Sequence, residues 1–441
     1  MRLPADRELQ AEATALLADL LRVDSSNPPG GETAAALVVR DYLASAGVEC
    51  ELIARRPARA NLVGRLAGSG DGPTLALMGH TDVVPADARD WAHPPFSGHL
   101  DGDGYLWGRG ALDMKNELAT RAVAVAALAR VGVRPRGDLL LIAESDEEDG
   151  SEQVGMPWLV EQRPDLRADY VLNEGAAERL ELADGRTVVT VCIGEKAAGE
   201  VRITALGEAA ATSTPHLGLN AVVVLARLID RLAAYRSPRR VVPETGAMLE
   251  LLVGEPSGDL DRDIEAAVAL HPAFRELIEP LFATTYAPTR LRGSDALNVM
   301  PARASADVDC RPAPGAGWED VEAELRQALG ADLDYELEPA TPIAGGTISP
   351  VDSPLYTACA TALARIDPAA VLLPTLCVGF TDSHYMRAAF GSVAYGIWPM
   401  RTTPVELAAT TVHGVDERVH VGDLGPAVRF HVEVARELLW R

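Results

Sequence analysis

Four short apolar runs constrain this chain most: TLALMGH (74–80), DLLLIAE (138–144), DYVLNEG (169–175) and VAYGIWP (393–399). Each stops abruptly at polar residues, the pattern of a strand buried on both faces. Between the first two lies the Ala-rich segment NELATRAVAVAALARVG (116–132), a helix candidate. Residues 7–22 also carry apolar positions at helical spacing and end before the turn-rich DSSNPPGGE. Apolar strands alternating with helices predict an α/β fold, a mostly parallel sheet with helices on both faces. In such a sheet, functional groups gather beyond the carboxyl ends of the strands.

From about Glu195 to Pro312 the texture changes. Strand-like runs such as EVRITALG flank helix candidates such as NAVVVLARLIDRLAAY (220–235), and ADVDCRPAPGAG reads as an exit. The expected organisation is one domain made of residues 1–195 and 313–441, interrupted by an inserted α+β domain at 196–312.

The formal net charge of -24, from 64 acidic and 40 basic residues, repels phosphate backbones and argues against a nucleic-acid partner. No apolar run is long enough to span a bilayer, so no membrane partner is expected. The first residues, MRLPADRELQAEATALLADLL, are interrupted by acids and lack a signal-peptide apolar core. The five cysteines are scattered and contain no CxxC pair. That fits reduced thiols and a cytoplasmic location better than a disulfide framework or a thiolate zinc site.

The acids are not evenly spread. Glu144, Asp146, Glu147, Glu148 and Asp149 crowd one segment just past an apolar run. Like charges this close repel and raise each other's pKa values, so a source of positive charge is required. Other polar residues stand at the ends of runs or in loops: His80 and Asp82 in GHTD, Asp113 in GRGALDMK, Glu174 in LNEG and His413 in TVHGVDE. Singly, each has a plain reading. His80 alone fits a satisfied core histidine, DEEDG a solvated turn, Asp113 a helix N-cap, and His413 a partner for Asp416 or Glu417. Together, carboxylates and imidazoles at strand ends suit zinc and related divalent ions. Two such ions would hold the crowded carboxylates ionised.

The segments LMGHTDVVPA, GRGALDMKNELA, ESDEEDG, LNEG, GEKAAGEV, STPHLGLNAV, NVMPARASADVDCR, GFTDSHYMR and TVHGVDERVHV follow one another along nearly the whole chain. As a set they resemble the dinuclear zinc hydrolases that include aminoacylase, acetylornithine deacetylase, succinyl-diaminopimelate desuccinylase and glutamate carboxypeptidase. The resemblance implies two zinc ions, with cobalt or manganese as substitutes. His80, Asp113 and Glu174 would hold one, and Asp113, Glu148 and His413 the other, with Asp113 bridging. Asp82 would accept the second ring N–H of His80 and fix its tautomer. Glu147 would be the general base that activates water for attack on an amide carbonyl. Asn298 and Arg311 match positions that bind a substrate carboxylate, Gly379 and Thr381 belong to a loop resembling a wall of the substrate site, and Lys196 reads as structural. The inserted domain resembles a lid that also makes a homodimer contact.

The resemblance breaks at one place. Its lid carries a histidine in a segment of the form G-x-A-x-H-x-S-x-P that helps hold an oxyanion. Here the segment is GEAAATSTPHLG (207–218), with Ala211 at the histidine position and Ser213 and Pro215 retained. Alanine donates no such hydrogen bond, and loss of one oxyanion donor typically costs about 100- to 1000-fold in turnover. His216, five residues on, is a candidate substitute at an unfavourable offset. Asn116 and Glu117 also stand where many relatives have glycines, and Phe380 replaces a common glycine. The expected activity is hydrolysis of N-acyl amino acids or small peptides with a free carboxylate. The alternatives are an aminopeptidase or dipeptidase, or a metal-containing binding protein with weak catalysis.

Overall fold

The fold is that of a computed structural model, which describes residues 3–440. Two compact units emerge. One comprises the chain up to Gly194, then Ile348–Thr375 and the chain from Thr381; the other comprises Glu195–Thr347 and Leu376–Phe380.

The first unit is built on a sheet whose strands run in the order Glu49–Arg56, Arg59–Leu66, Leu139–Glu144, Leu75–His80, Tyr170–Asn173, Val393–Gly396, Thr187–Glu195 and Ala370–Cys377. The four apolar runs of the sequence supply its centre. Leu139–Glu144, Leu75–His80, Tyr170–Asn173 and Val393–Gly396 are neighbours and all parallel. Arg59–Leu66 joins them antiparallel on one side and Thr187–Glu195 on the other. Alternation along the central strands explains why both faces are apolar. Ala76, Met78, Leu140, Ile142, Val171 and Ala394 pack with Met156, Leu159 and Met386, which lie on the helices Met156–Gln162 and Ser383–Phe390. The opposite face receives Lys115–Val131, which in turn packs on Asp6–Leu21 and Leu424–Leu439.

Lys115–Val131 is buried continuously from Lys115 to Leu128. A helix covered on all sides needs small side chains all round, which its alanines provide. It ends at Gly132, whose φ of 72° is the left-handed conformation that glycine adopts without a steric penalty. Asp6–Leu21 buries only the stripe Leu9, Ala13, Leu16, Leu17, Leu20 and Leu21. Each fully buried leucine there contributes about 1.5–3 kcal/mol.

The second unit is an antiparallel sheet, Thr285–Arg292, Arg303–Arg311, Ala197–Leu206 and Tyr335–Pro339 in that order. One face, with Val201, Ile203, Ala205, Ala304, Ala306 and Val308, packs on Val224, Leu225 and Leu228 of the helix Ala221–Ala234 and on Val321, Leu325 and Leu329 of the helix Trp318–Leu329. Asn220 caps the first of these helices by accepting the Val222 N–H. The expected exit at residue 312 is therefore too early. The turn after Arg311 only ends a strand, while Trp318–Leu329 closes the core and Tyr335–Pro339 pairs along Val201–Ala205. Among the described residues no helix is long and apolar enough to cross a membrane.

Candidate metal centre

Three adjacent parallel strands of the first unit release the candidate ligands at one sheet edge. His80 is the last residue of Leu75–His80 and stands in register with Glu144, the last residue of Leu139–Glu144. Glu147 and Glu148 follow that second strand, and Glu174 follows Tyr170–Asn173. Asp113 arrives from the loop before Lys115–Val131, and His413 from the turn after the helix Val405–Thr411, in the left-handed region at φ 56°.

These side chains converge. His80 Nε2 lies 3.1 Å from Asp113 Oδ1 and 3.6 Å from Glu174 Oε2. His413 Nε2 lies 3.0 Å from Asp113 Oδ2 and 3.0 Å from Glu148 Oε2. Each oxygen of Asp113 thus faces a different imidazole. Donor atoms of His80, Asp113 and Glu148, and of His80, Glu147 and Glu174, fall within 4.8 Å of one another. Asp113 does not cap the helix, whose N-cap is Met114 with no side-chain cap.

The electrostatics call for positive charge. Burial alone would lower the His80 pKa, but Asp113 and Glu174 outweigh it and raise it well above the usual value. Asp113 and Glu148 push His413 up to about 10. Burial works against ionisation of Asp113, yet His413 and His80 hold it below the usual carboxylate range. Burial, then Glu174, push Glu147 well above its ordinary value. The upward shifts of both imidazoles mark a site short of positive charge, which divalent cations would supply. The nitrogen and carboxylate donors and their spacing fit such ions.

The other crowded acids have separate duties. Asp146, at φ 67°, accepts from Asn27 Nδ2 at 3.1 Å, from Arg59 Nη2 at 3.2 Å, and from the N–H groups of Glu152 and Val154. Arg59, itself paired with Glu32, is the cation that relieves this part of the cluster. Asp82 differs from expectation. The Asp82 main-chain carbonyl lies 2.9 Å from His80 Nδ1, whereas its carboxylate stands 3.7 Å away. The carboxylate accepts from Asn27 Nδ2 at 2.9 Å and from the N–H groups of Glu148 and Glu147 at 3.1 and 3.3 Å. Its geometry orders the loop carrying those two glutamates, because a side chain two residues past a strand end reaches the neighbouring loop more readily than back to its own strand.

Sequence reasoning gave Glu417 too small a place. The residue is buried and accepts the N–H groups of Gly110 at 3.0 Å, Leu112 at 2.6 Å and Asp113 at 3.0 Å, and Arg109 Nη1 at 2.7 Å. Arg109 Nη2 donates to the Gly414 carbonyl at 2.6 Å. The loop bearing Asp113 and the turn bearing His413 are thereby one hydrogen-bonded piece. The available signal was a glutamate and an arginine beside the two candidate ligands, GRGALD and HGVDE.

Thr381, in the first unit, is buried against Gly175. The second unit holds the remaining candidates. Arg311 is paired with Asp309 two residues earlier, at 3.0 Å from Nε and 3.2 Å from Nη2. Asn298 is exposed, and its carbonyl accepts the Thr212 N–H at 3.4 Å. Ala211 is exposed beside it, in register with Val299. His216 sits on the exposed turn Pro215–Leu217. The Gly379 N–H points at Cys377 Sγ, 3.3 Å away. Lys196 is structural, donating to the carbonyls of Pro280 and Ala283 at 2.8 Å each, and burial pushes it down to about 8.

Known proteins resemble this chain along most of its length. Over 434 residues the chain is 28% identical to succinyl-diaminopimelate desuccinylase of Cereibacter sphaeroides (strain KD131 / KCTC 12085), covering 97% of this chain and 98% of that protein. It is 29% identical over 423 residues to aminoacylase-1 of Sus scrofa, covering 94% and 92%. Among solved structures, the M20 family metallo-carboxypeptidase Sso-CP2 of Sulfolobus solfataricus superposes with a TM-score of 0.72 at 20% identity, covering 97% of this chain and 99% of that one. Human carnosine dipeptidase 1 gives 0.69 at 15% identity, covering 99% of each. The model of Peptidase family M20/M25/M40 matches residues 76–437. The chain belongs to that family of metal-dependent enzymes and is a hydrolase of amide bonds.

Proposed function

We propose that this hydrolase uses two zinc ions to cleave N-acyl amino acids or short peptides that carry a free carboxylate. The observation that carries the reading is Asp113, with one carboxylate oxygen toward His80 and the other toward His413. That is the disposition a bridging ligand needs. His80, Asp113 and Glu174 would hold one ion, and Asp113, Glu148 and His413 the other.

Bound there, the ions would lower the pKa of water and polarise the substrate carbonyl. Glu147 takes the proton of the attacking water on its carboxylate and returns it to the leaving nitrogen. Glu147 stands partly buried just after a strand end, and ions that keep the surrounding carboxylates ionised would leave it free to accept that proton. Asp82 holds the Glu147 and Glu148 amides so that one side chain serves as base and its neighbour as ligand. Arg311 supplies a planar two-pronged donor for the substrate carboxylate, displacing Asp309, with Asn298, Gly379 and Thr381 as further contacts. A homodimer is the proposed assembly. A cytoplasmic setting agrees with five free cysteines.

Ala211 favours a second reading, a metal-containing binding protein with weak turnover. The experiment is zinc-loaded protein incubated with a panel of N-acyl amino acids and dipeptides, product release followed by mass spectrometry, with a chelator control. Chelator-sensitive release of free amino acids supports the hydrolase reading. Release only from peptides with a free amino terminus would instead make this an aminopeptidase or dipeptidase. Tight substrate binding without release, even in Ala211→His protein, favours the binding reading.

A further inference from the structure

One buried arginine of the first unit has no part in the site so far described. Arg121 lies on Lys115–Val131 and is fully buried. Its Nη1 donates to the Met78 carbonyl at 2.5 Å, and its Nη2 to the Asn173 carbonyl at 3.0 Å. Nη2 also meets Glu117 Oε2 at 2.5 Å, one helical turn earlier. Met78 is two residues before His80, and Asn173 immediately precedes Glu174. The ladder joining these two strands has its last pair at Leu77 and Leu172. Beyond that pair a single guanidinium spans the strand ends.

A rigid planar fork is suited to bridging two fixed carbonyls, as a lysine ammonium is not. Burying that charge is costly without a partner. Glu117 supplies the partner, and it occupies one of the two positions after Lys115 where this chain departs from the glycines of many relatives. We propose that Arg121, held by Glu117, is a positioning residue that fixes the separation of His80 from Glu174, and so sets the affinity of one metal subsite without touching the other. This rests on the two-zinc reading above. Asp113, shared by both subsites, and Glu148 and the turn of His413 are held by contacts that do not involve Arg121, through Glu417, Asp82 and Arg109.

The test is zinc binding by apo-protein, measured by competition with a chromophoric chelator, for wild type, Arg121→Lys and the double variant Glu117→Leu/Arg121→Met. Arg121→Lys keeps the buried charge pair and guards against failure of the apolar double variant to fold. Thermal melting is recorded alongside. The expected result is one zinc weakened tenfold or more in both variants and the other within twofold of wild type. Two unchanged affinities, or two affinities falling together in proportion to melting temperature, overturn the proposal and leave the two-zinc reading standing. Wild-type protein that binds no zinc, or one equivalent, overturns both.

Discussion

Glu417→Gln separates the loop clamp from bulk and shape, because the two side chains are nearly isosteric. The carboxylate takes two donors on each oxygen: Leu112 and Asp113 on Oε1, Gly110 and Arg109 on Oε2. Glutamine keeps one oxygen. Placed at Oε1, it retains Leu112 and Asp113 but turns its NH2 toward the Gly110 N–H and the Arg109 guanidinium. Two acceptor contacts become donor–donor contacts, and Arg109, only 3% exposed, loses its counter-charge. Hydrogen bonds to charged groups contribute about 1.5–3 kcal/mol each, and removing one partner of a buried pair costs about 3–5 kcal/mol. A destabilisation of about 3 kcal/mol is expected, large against the ~5–15 kcal/mol of a typical domain. The assay is urea unfolding of apo- and zinc-saturated protein by circular dichroism. Because Arg109 also donates to the Gly414 carbonyl beside His413, its displacement loosens the turn that carries that candidate ligand, so zinc affinity falls as well and the zinc-induced shift of the midpoint is smaller in the variant. A loss below about 1 kcal/mol with an unchanged zinc-induced shift would refute the clamp argument.

Glu147→Gln keeps its volume, retains zinc by equilibrium dialysis, and loses turnover number by at least about a hundredfold, the low end of general acid–base contributions; an unchanged turnover number removes Glu147 from proton transfer. Ala211→His raises turnover by about 100- to 1000-fold if the missing lid donor is the limiting defect, and equal rates in steady-state kinetics would show that the oxyanion is held by another group. Lys196 carries a pH prediction: burial depresses its native pKa to about 8, against about 10.4 in the unfolded chain. The unfolded chain therefore binds more protons between those values, so this residue's cost is full below pH 8 and is relieved as pH rises toward 10.4. Lys196→Met should flatten the rise in stability across that window, measured as the wild-type minus variant difference in unfolding midpoint; parallel curves would contradict the assignment.

The centre of the fold was open to reading because the physics there is local. A strand covered on both faces must be apolar at every position, so the four central strands announce themselves as unbroken runs. Outer strands such as Glu49–Arg56, whose burial is mixed, carry no such mark. The inserted unit's later boundary was hidden for a related reason. Tyr335–Pro339 is polar and half-exposed, and only its ladder with Val201–Ala205 makes it part of that sheet. Glu417 and Arg121 were obscure as well, since a buried charge is recognisable only through the main-chain groups that turn toward it.

Sequence by itself determined the α/β class, the strand ends from which the candidate ligands hang, and the kind of chemistry that histidines and acids at those ends can support. Side-chain type and spacing along the chain suffice for these. Tertiary structure decided which atoms meet: that Asp113 presents one oxygen to each imidazole, that the Asp82 main chain rather than its carboxylate faces His80, and that one arginine braces two strand ends. These depend on loops and helices far apart in the chain arriving within 3 Å or so of each other. Distances at hydrogen-bond range are set by packing, which no local pattern of residues encodes.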